Sequence, residues 1–223
     1  MRQGLAMGIR TWGTLLPVGL AALAQACASD VTTGPDLVGV PVITYRAPGA
    51  AFSSFGSFAI VSRPARIDAS GAPATVDAPG LVAAVAAHLE ARGFQQAVVV
   101  DPAAPPAAPV AADLSVSIVA LDPPQPQDPT SWIGDPAHPA PSLFGYAGSW
   151  GYPWTWAPLA VLPGTLLVEV ADLAGAGTGG PVVVWVLLAP GAATGGGSYD
   201  AAGVLEAVDR GFTQSSYLSA GTP

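Results

Sequence analysis

Residues 165–188 read TLLVEVADLAGAGTGGPVVVWVLL, and this stretch decides the fold. Apolar side chains at positions 166, 168 and 170 alternate with Glu169 and its neighbours, which predicts a strand with one buried face and with Glu169 pointing outward. Val182 to Leu188 is a continuous apolar run rich in β-branched residues, as expected for a central strand covered on both faces. The glycine-rich stretch 175–180 separates the two strands and predicts a hairpin.

Further elements are predicted before and after this hairpin. Strands are expected at 38–45, 57–61, 98–100 and 114–120. One helix opens at Asp77 and Pro79 and ends at Gly93, and a second helix is capped by Asp200. The order β, α, β, β, β, α predicts an α+β fold, in which a mostly antiparallel sheet carries two helices packed on one face.

The first 26 residues have the pattern of an export signal. Arg2 and Arg10 supply positive charge, residues 15–23 form a short apolar region, and Ala24-Gln25-Ala26 supplies the small-x-small pattern before a cleavage point. Cleavage after this pattern places Cys27, the only cysteine of the chain, at the new N-terminus.

A cysteine directly after a cleavage point resembles a bacterial lipoprotein signal, in which the thiol receives a diacylglycerol and the amine receives an acyl chain such as palmitate. Cys27 is therefore the expected lipid attachment site, and the bond between Ala26 and Cys27 is the expected cleavage site. Because acyl chains contribute roughly 0.8 kcal/mol per buried methylene, a triacylated terminus is a stable membrane anchor. Ala28, rather than aspartate, follows the cysteine, which indicates sorting to the outer membrane with the domain facing the periplasm. The alternative is cleavage by the ordinary signal peptidase, which leaves Cys27 as a free thiol.

Composition and charge exclude several classes of protein. The chain has a formal net charge of -8 and a pI near 4.3, so it lacks the basic surface that nucleic acids require. One cysteine cannot form an intramolecular disulfide, and with two histidines it cannot complete a structural zinc site. Only 10% of the residues are charged, yet no run of about 20 apolar residues is present that would span a membrane. Removal of residues 1–26 takes away two of the seven arginines and no acidic residue, so the mature chain carries -10.

The mature chain is divided into a lipidated tether with a leading strand at 27–50 and a single α+β domain at 51–219. This domain contains an aromatic, glycine- and proline-rich loop at 122–163, the aromatic segment, whose rings crowd its part 131–158. Aromatic rings stack on sugars, acyl chains or peptides, so this part is a candidate binding surface or membrane contact. Alternatively, the rings fold over the open face of the sheet and complete the core. The candidate binding residues are Trp132, Tyr146, Trp150, Tyr152, Trp154 and Trp156.

Glycines at 175, 177 and 180 fit the dinucleotide fingerprint G-x-G-x-x-G. That fingerprint must open a helix whose N-terminus faces the pyrophosphate, whereas here a strand follows at 182. A hairpin loop is therefore favoured, and no cofactor is predicted.

Asp122, Asp128 and Asp135 lie in one irregular segment and carry the oxygen ligands that calcium requires. Each of them directly precedes a proline, so Asp-Pro turns explain their positions without a metal ion. No metal site is predicted.

Residues 147–151 approach a nucleophile elbow around Ser149. The histidine of that arrangement follows the serine in the chain, whereas both histidines here, His88 and His138, precede it. His88 belongs to the first predicted helix, where a half-exposed structural histidine is expected. No catalytic residue is predicted.

Gly164-Thr165-Leu166, followed by Asp172 and a strand with Val184-Trp185, is the most specific of several short motifs. The others are Phe55-Gly56-Ser57-Phe58, Leu89-Glu90-Ala91-Arg92-Gly93-Phe94, Ala112-Asp113-Leu114 and Phe212-Thr213-Gln214-Ser215-Ser216-Tyr217-Leu218. Together they resemble the bacterial lipoprotein family called domain of unknown function forty-one thirty-six, over about residues 52–218. The resemblance implies an exported, lipid-anchored α+β domain and implies no reaction and no catalytic residues.

These observations predict a noncatalytic cell-envelope lipoprotein, anchored to the membrane through Cys27, that binds an envelope component or a protein partner through the aromatic segment. Two other functions compete with this prediction. One is an envelope enzyme of hydrolase type that uses the loop 131–158, and the other is a purely structural lipoprotein.

Overall fold

The computed structural model describes residues 32–33, 41–68, 73–122, 143–146, 162–176, 180–193 and 198–221. Within these ranges it contains nine strands and two α-helices, α1 (Pro79–Glu90) and α2 (Ala202–Gln214), with a short 3-10 turn at Phe52–Ser54. The strands are β1 (Thr32–Thr33), β2 (Ile43–Arg46), β3 (Ser57–Val61), β4 (Ala65–Asp68), β5 (Pro73–Thr75), β6 (Gln95–Val100), β7 (Leu114–Asp122), β8 (Thr165–Asp172) and β9 (Val182–Ala189).

These strands form one mixed sheet whose main order is β1-β2-β9-β8-β7-β3-β6. From β1 through to β7 all neighbours are antiparallel, including the predicted hairpin of β8 and β9. β3 is parallel to both β6 and β7. β4 runs parallel to the second half of β7, and β5 pairs antiparallel with β4.

The class is α+β, but the expectation of a mostly antiparallel sheet was wrong. Helix α1 follows β3 and precedes β6 in the chain, and a helical crossover of this kind brings the second strand back in the same direction as the first. β3 therefore pairs in parallel with β6, and its other edge pairs in parallel with β7.

Both helices lie on one face of the sheet and contact each other. α1 packs on β3 and β6, while α2 packs on β2 and β9. Between α2 and β9, the indole Nε1 of Trp185 donates a hydrogen bond to Ser215 Oγ at 2.9 Å, and both residues are fully buried. β7, β8 and β9 are buried along almost their whole length, so the core extends over both faces of these central strands.

Helix α1 begins and ends with defined hydrogen bonds. Pro79 stands at its N-terminus, and Gly93 adopts a φ of 90° just after its last turn, where the Phe94 N–H donates to the Leu89 carbonyl at 3.2 Å. The prediction that Asp200 caps the final helix was wrong. Its carboxylate accepts instead from Leu81 N at 2.7 Å and from Gly80 N at 3.4 Å, so Asp200 caps α1 and ties the starts of both helices together.

The strand register defines two ends of the sheet. At the first, the Arg46 end, Arg46 pairs with Trp185, and Leu114 pairs with Asp172. At the second, the Asp122 end, β7 finishes and β8 begins. The length of β7, at about 3.4 Å per residue, separates the two ends by about 27 Å. None of the helices in the described ranges is long and apolar enough to cross a membrane.

Candidate functional site

Most residues predicted from the sequence to carry function lie outside the described part of the chain. These are the lipid attachment site Cys27 with Ala26, and the aromatic residues Trp132, Trp150, Tyr152, Trp154 and Trp156. Ser149, His138, Asp128 and Asp135 lie outside it as well. The described residues that bear on the aromatic segment are its middle, 143–146, and its two ends at Asp122 and at residues 162–165.

The middle of the aromatic segment packs into the protein core. Phe144 is fully buried, and its carbonyl accepts a hydrogen bond from Val110 N at 3.2 Å. Gly145 has a φ of 77°, and a Cβ at this position would collide with the Ala108 backbone, so the close approach requires glycine. Tyr146 is half-buried, and burial followed by the negative charge of Asp172 raises the pKa of its hydroxyl. Residues 143–146 therefore cover the core at the Arg46 end.

One carboxylate holds both ends of the aromatic segment together at the Asp122 end. Asp122 Oδ1 accepts hydrogen bonds from Gly164 N at 2.8 Å and from the Tyr199 hydroxyl at 3.3 Å. Asp122 Oδ2 accepts from Arg66 Nε at 2.9 Å, in an ion pair whose arginine side chain is 46% exposed. Burial, and then the charge of Asp122, raises the pKa of Tyr199, so this phenol stays protonated and donates. Asp122, predicted to form an Asp-Pro turn, thus joins four parts of the chain.

The residues after this carboxylate complete the closure of the segment. Thr165 Oγ1 donates to the Leu162 carbonyl at 2.6 Å and accepts from Leu162 N at 3.1 Å and Gly191 N at 3.2 Å. Gly164 has a φ of 75°, which lets the chain turn directly into β8. The Gly164-Thr165 pair of the sequence motif is therefore the hydrogen-bonded start of a central strand.

A buried polar strip lies on the face of the sheet that is turned away from the helices. Trp185 and Leu187 face α2, and their register partners on β8 are Val170 and Val168, so Glu169 between them faces the other way. Glu169 is completely buried and accepts a hydrogen bond from Ser117 Oγ at 2.9 Å. The expectation that Glu169 lies on an outward, solvent-facing side was wrong, because both faces of β8 are covered.

Asp113 joins two of the short sequence motifs. Its Oδ2 accepts hydrogen bonds from Gly56 N at 2.8 Å, Ser57 N at 2.9 Å and Ser57 Oγ at 3.0 Å. These hydrogen bonds, first that from Gly56, hold the pKa of Asp113 below its usual value. The carboxylate thus fixes the start of β3 against the start of β7, which is a structural task that the separation of 56 residues hid from sequence reasoning.

His88 lies between the two helices, away from the aromatic segment. Its ring stacks on Phe212 at 4.7 Å between centroids, and its Nε2 lies 3.6 Å from an Asp209 carboxylate oxygen. Burial, followed by the charge of Arg92, lowers the pKa of His88. Arg92 also lies over the Phe212 ring and donates to the Phe212 carbonyl at 2.8 Å, so this group joins α1 to α2.

Gly175 and Gly180 lie in the connection between antiparallel strands β8 and β9, where Asp172 Oδ1 accepts from Gly175 N at 2.8 Å. A strand follows them, as the hairpin interpretation requires, and Gly177 lies outside the described residues. In the described ranges, no three histidine, cysteine, aspartate or glutamate side chains come close enough together to hold a metal ion.

Comparison with known proteins gives two similar solved structures. No protein-family model matches the chain, and no curated protein sequence matches it. The crystal structure of a DUF4136 family protein from Bacteroides thetaiotaomicron is 27% identical, covers 80% of this chain and 96% of its own, and superposes with a TM-score of 0.63. A dodecamer of PelC from Paraburkholderia phytofirmans is 13% identical over 80% of this chain and 98% of its own, and its TM-score of 0.35 is too low to bear on the fold. The first of these confirms the resemblance in the sequence: the chain is related to DUF4136, a family of domains of unknown function.

Proposed function

We propose that this protein is a noncatalytic lipoprotein of the cell envelope, anchored in the outer membrane by acyl chains on Cys27, with its domain in the periplasm. The observation that carries the proposal is the position of Cys27. The only cysteine of the chain directly follows the small-x-small pattern of an export signal, which is the one place where lipidation uses a cysteine. The relationship to DUF4136, a family of domains of unknown function, agrees with this proposal because it implies no reaction.

The noncatalytic part of the proposal is supported by what four of the described carboxylates do. Asp113 binds the amides of residues 56–57, Asp172 binds the amide of Gly175, and Asp200 binds the first amides of α1. Asp122 closes the ends of the aromatic segment. Each of these groups holds backbone in place, which is a task that accounts for its charge without a reaction.

The binding part of the proposal assigns the partner to the aromatic segment, with Trp132, Trp150, Trp154 and Trp156 as its indoles. Support comes from the contacts that hold this segment on the sheet. Its ends are closed by Asp122 and Thr165, and its middle is fixed by the burial of Phe144. Mounting on a rigid sheet reduces the conformational entropy that a binding loop loses when its partner is captured.

Metabolic labelling with a clickable fatty acid tests the anchor. The wild-type protein is expected to incorporate the label and to fractionate with membranes, whereas Cys27→Ser is expected to do neither. Incorporation of label into Cys27→Ser would contradict the assignment of Cys27. Unlabelled wild-type protein, released by the ordinary signal peptidase, would contradict lipidation as such.

Tryptophan fluorescence tests the binding surface, because the mature chain has five tryptophans and one of them, Trp185, is buried in the core. A variant with Trp132, Trp150, Trp154 and Trp156 changed to phenylalanine keeps only this core reporter and is the matched control. Acrylamide is expected to quench the wild type more strongly than the control, and titration with envelope glycans, lipid vesicles or peptides is expected to change only the wild-type signal. If acrylamide quenches both proteins equally weakly, the four indoles are buried in the core, and the alternative of a purely structural lipoprotein is favoured.

A further inference from the structure

The attachment point of the anchor is close to a strand whose place in the sheet is known. Only residues 28–31 separate Cys27 from β1, and β1 pairs antiparallel with β2, with Thr32 opposite Thr44 and Thr33 opposite Ile43. β2 runs towards the Arg46 end, so β1 runs away from it, and the N-terminal side of Thr32 faces the Arg46 end. Five residue steps reach at most about 18 Å, which keeps Cys27 within a short distance of the sheet.

The surface of the Arg46 end is suited to a lipid headgroup layer. Residues 47–57 and 215–221 meet there: the Arg46 guanidinium lies over the Tyr217 ring at 4.7 Å, and the rings of Phe52 and Tyr217 lie 6.0 Å apart. Neither of these two stretches contains a charged residue, and the side chains that they expose are small, such as Ala51, Ser53 and Ser54.

The distribution of acidic groups agrees with this orientation. In a mature chain of net charge -10, an anionic membrane surface repels whichever end carries exposed carboxylates. Among the described residues outside α2, five carboxylates and two arginines lie at the Asp122 end and sum to -3: Asp68, Asp77, Asp101, Asp122 and Asp200 with Arg63 and Arg66. Three carboxylates and two arginines lie at the Arg46 end and sum to -1: Asp113, Asp172 and Glu90 with Arg46 and Arg92.

From this register and charge distribution we infer that the Arg46 end, through residues 47–57 and 215–221, rests on the phospholipid surface, and that the Asp122 end points away from it. The inference depends on the proposed anchoring by Cys27 and adds to it a fixed orientation. The Asp122 end then stands about 27 Å further from the membrane than the Arg46 end.

Energy transfer to labelled lipids tests the orientation. Lipidation consumes the thiol of Cys27, so a cysteine introduced by Ala51→Cys or Ala202→Cys is the only free thiol of the lipidated protein. Both alanines are exposed, with Ala51 at the Arg46 end and Ala202 at the start of α2, next to the Asp122 end. Each variant receives a donor dye and is reconstituted into phosphatidylethanolamine and phosphatidylglycerol vesicles that carry a headgroup-linked acceptor.

Transfer from position 51 is expected to be at least about twofold stronger than transfer from position 202, because the two sites differ in height by roughly the length of β7. Equal transfer, or stronger transfer from position 202, in protein that floats with the vesicles would overturn the orientation and leave the anchor intact. The parent protein without an introduced cysteine is the control for the anchor. Strong dye uptake at Cys27 together with loss of flotation would overturn the anchor, and the orientation with it.

Discussion

Two glycines of helix α2 provide a matched test of how closely the helix approaches the sheet. A Cβ on Gly211 would collide with Leu187 Cδ1 and lie 2.9 Å from Leu187 Cγ, whereas a Cβ on Gly203 would meet nothing within 4 Å. Leu187 is fully buried, so its side chain has little room to move aside. Gly211→Ala and Gly203→Ala therefore add the same methyl group to the same helix in opposite surroundings.

The expected free energies follow from two opposing effects. Replacing glycine by alanine stabilises a helix interior by about 1 kcal/mol and somewhat less near its first turn. An extra methyl group in a well-packed core costs about 1–3 kcal/mol. Gly203→Ala is therefore expected to stabilise the protein by about 0.5–1 kcal/mol, and Gly211→Ala to be neutral or to destabilise it by up to about 2 kcal/mol.

Thermal and urea unfolding of the two purified variants measure the difference. A gap of about 0.5–3 kcal/mol corresponds to roughly 1–12 °C in Tm for a domain of this size. Leu187→Val removes a methylene from the point of collision. It is therefore expected to lower the free energy of unfolding less in the Gly211→Ala protein than in the wild type. If Gly211→Ala stabilises the protein as much as Gly203→Ala, α2 does not pack against β9 as closely as described.

Three further predictions concern polar groups of the described residues. Asp113→Asn weakens the hydrogen bonds from residues 56–57 and is expected to lower the free energy of unfolding by about 1–2 kcal/mol at pH 7. Because the folded-state pKa of Asp113 is depressed, the difference between wild type and variant is expected to shrink as the pH falls below about 4, which urea titrations at a series of pH values measure. For His88, whose pKa is lowered in the folded protein, wild-type stability is expected to be highest above about pH 6.5 and to fall as the pH drops through the folded-state pKa, and His88→Gln should weaken this dependence between pH 5 and 7.5. Trp185→Phe and Ser215→Ala each leave one buried group of their hydrogen bond without a partner and should each cost about 1–3 kcal/mol, while the double variant should cost less than the sum in a denaturant-based mutant cycle.

Periodicity in the sequence predicts the central elements well, because the residues of a buried face recur every second position in a strand and every three to four positions in a helix. The strand expected at 182–188 is observed as Val182–Ala189. The helix expected to end at Gly93 has its last helical residue at Glu90, and Gly93 follows with the expected positive φ. β4 and β5 are not predicted, since strands of four and three residues are too short to show a pattern. Whether two strands pair in parallel depends on how the chain connects them. The helix between β3 and β6 was the feature of the sequence that indicated a parallel pair.

The candidate site was less predictable because its hydrogen bonds join distant parts of the chain. Asp200 stands directly before α2, which suggested a local cap, yet its carboxylate binds amides of α1 that lie 119 and 120 residues away. Glu169 alternates with apolar residues, which suggested a solvent-facing position, yet Ser117 from the neighbouring strand binds it inside the core. A local sequence pattern predicts on which face of a strand a side chain lies. It does not predict whether another part of the protein covers that face.

The two proposals use different residues of the chain for attachment and for binding. The anchor joins the chain near the Arg46 end through β1. The middle of the aromatic segment packs at this same end through Phe144, while Asp122 and Gly164 close its two ends at the Asp122 end. The hydrogen-bonded strands β7, β8 and β9 connect these ends through a core that is buried on both faces, and none of their residues contacts the lipid anchor in the proposal. Loss of lipidation in Cys27→Ser is therefore expected to change where the protein resides without changing its tryptophan quenching. Conversely, replacement of the four tryptophans of the aromatic segment is expected to change partner binding without releasing the protein from the membrane.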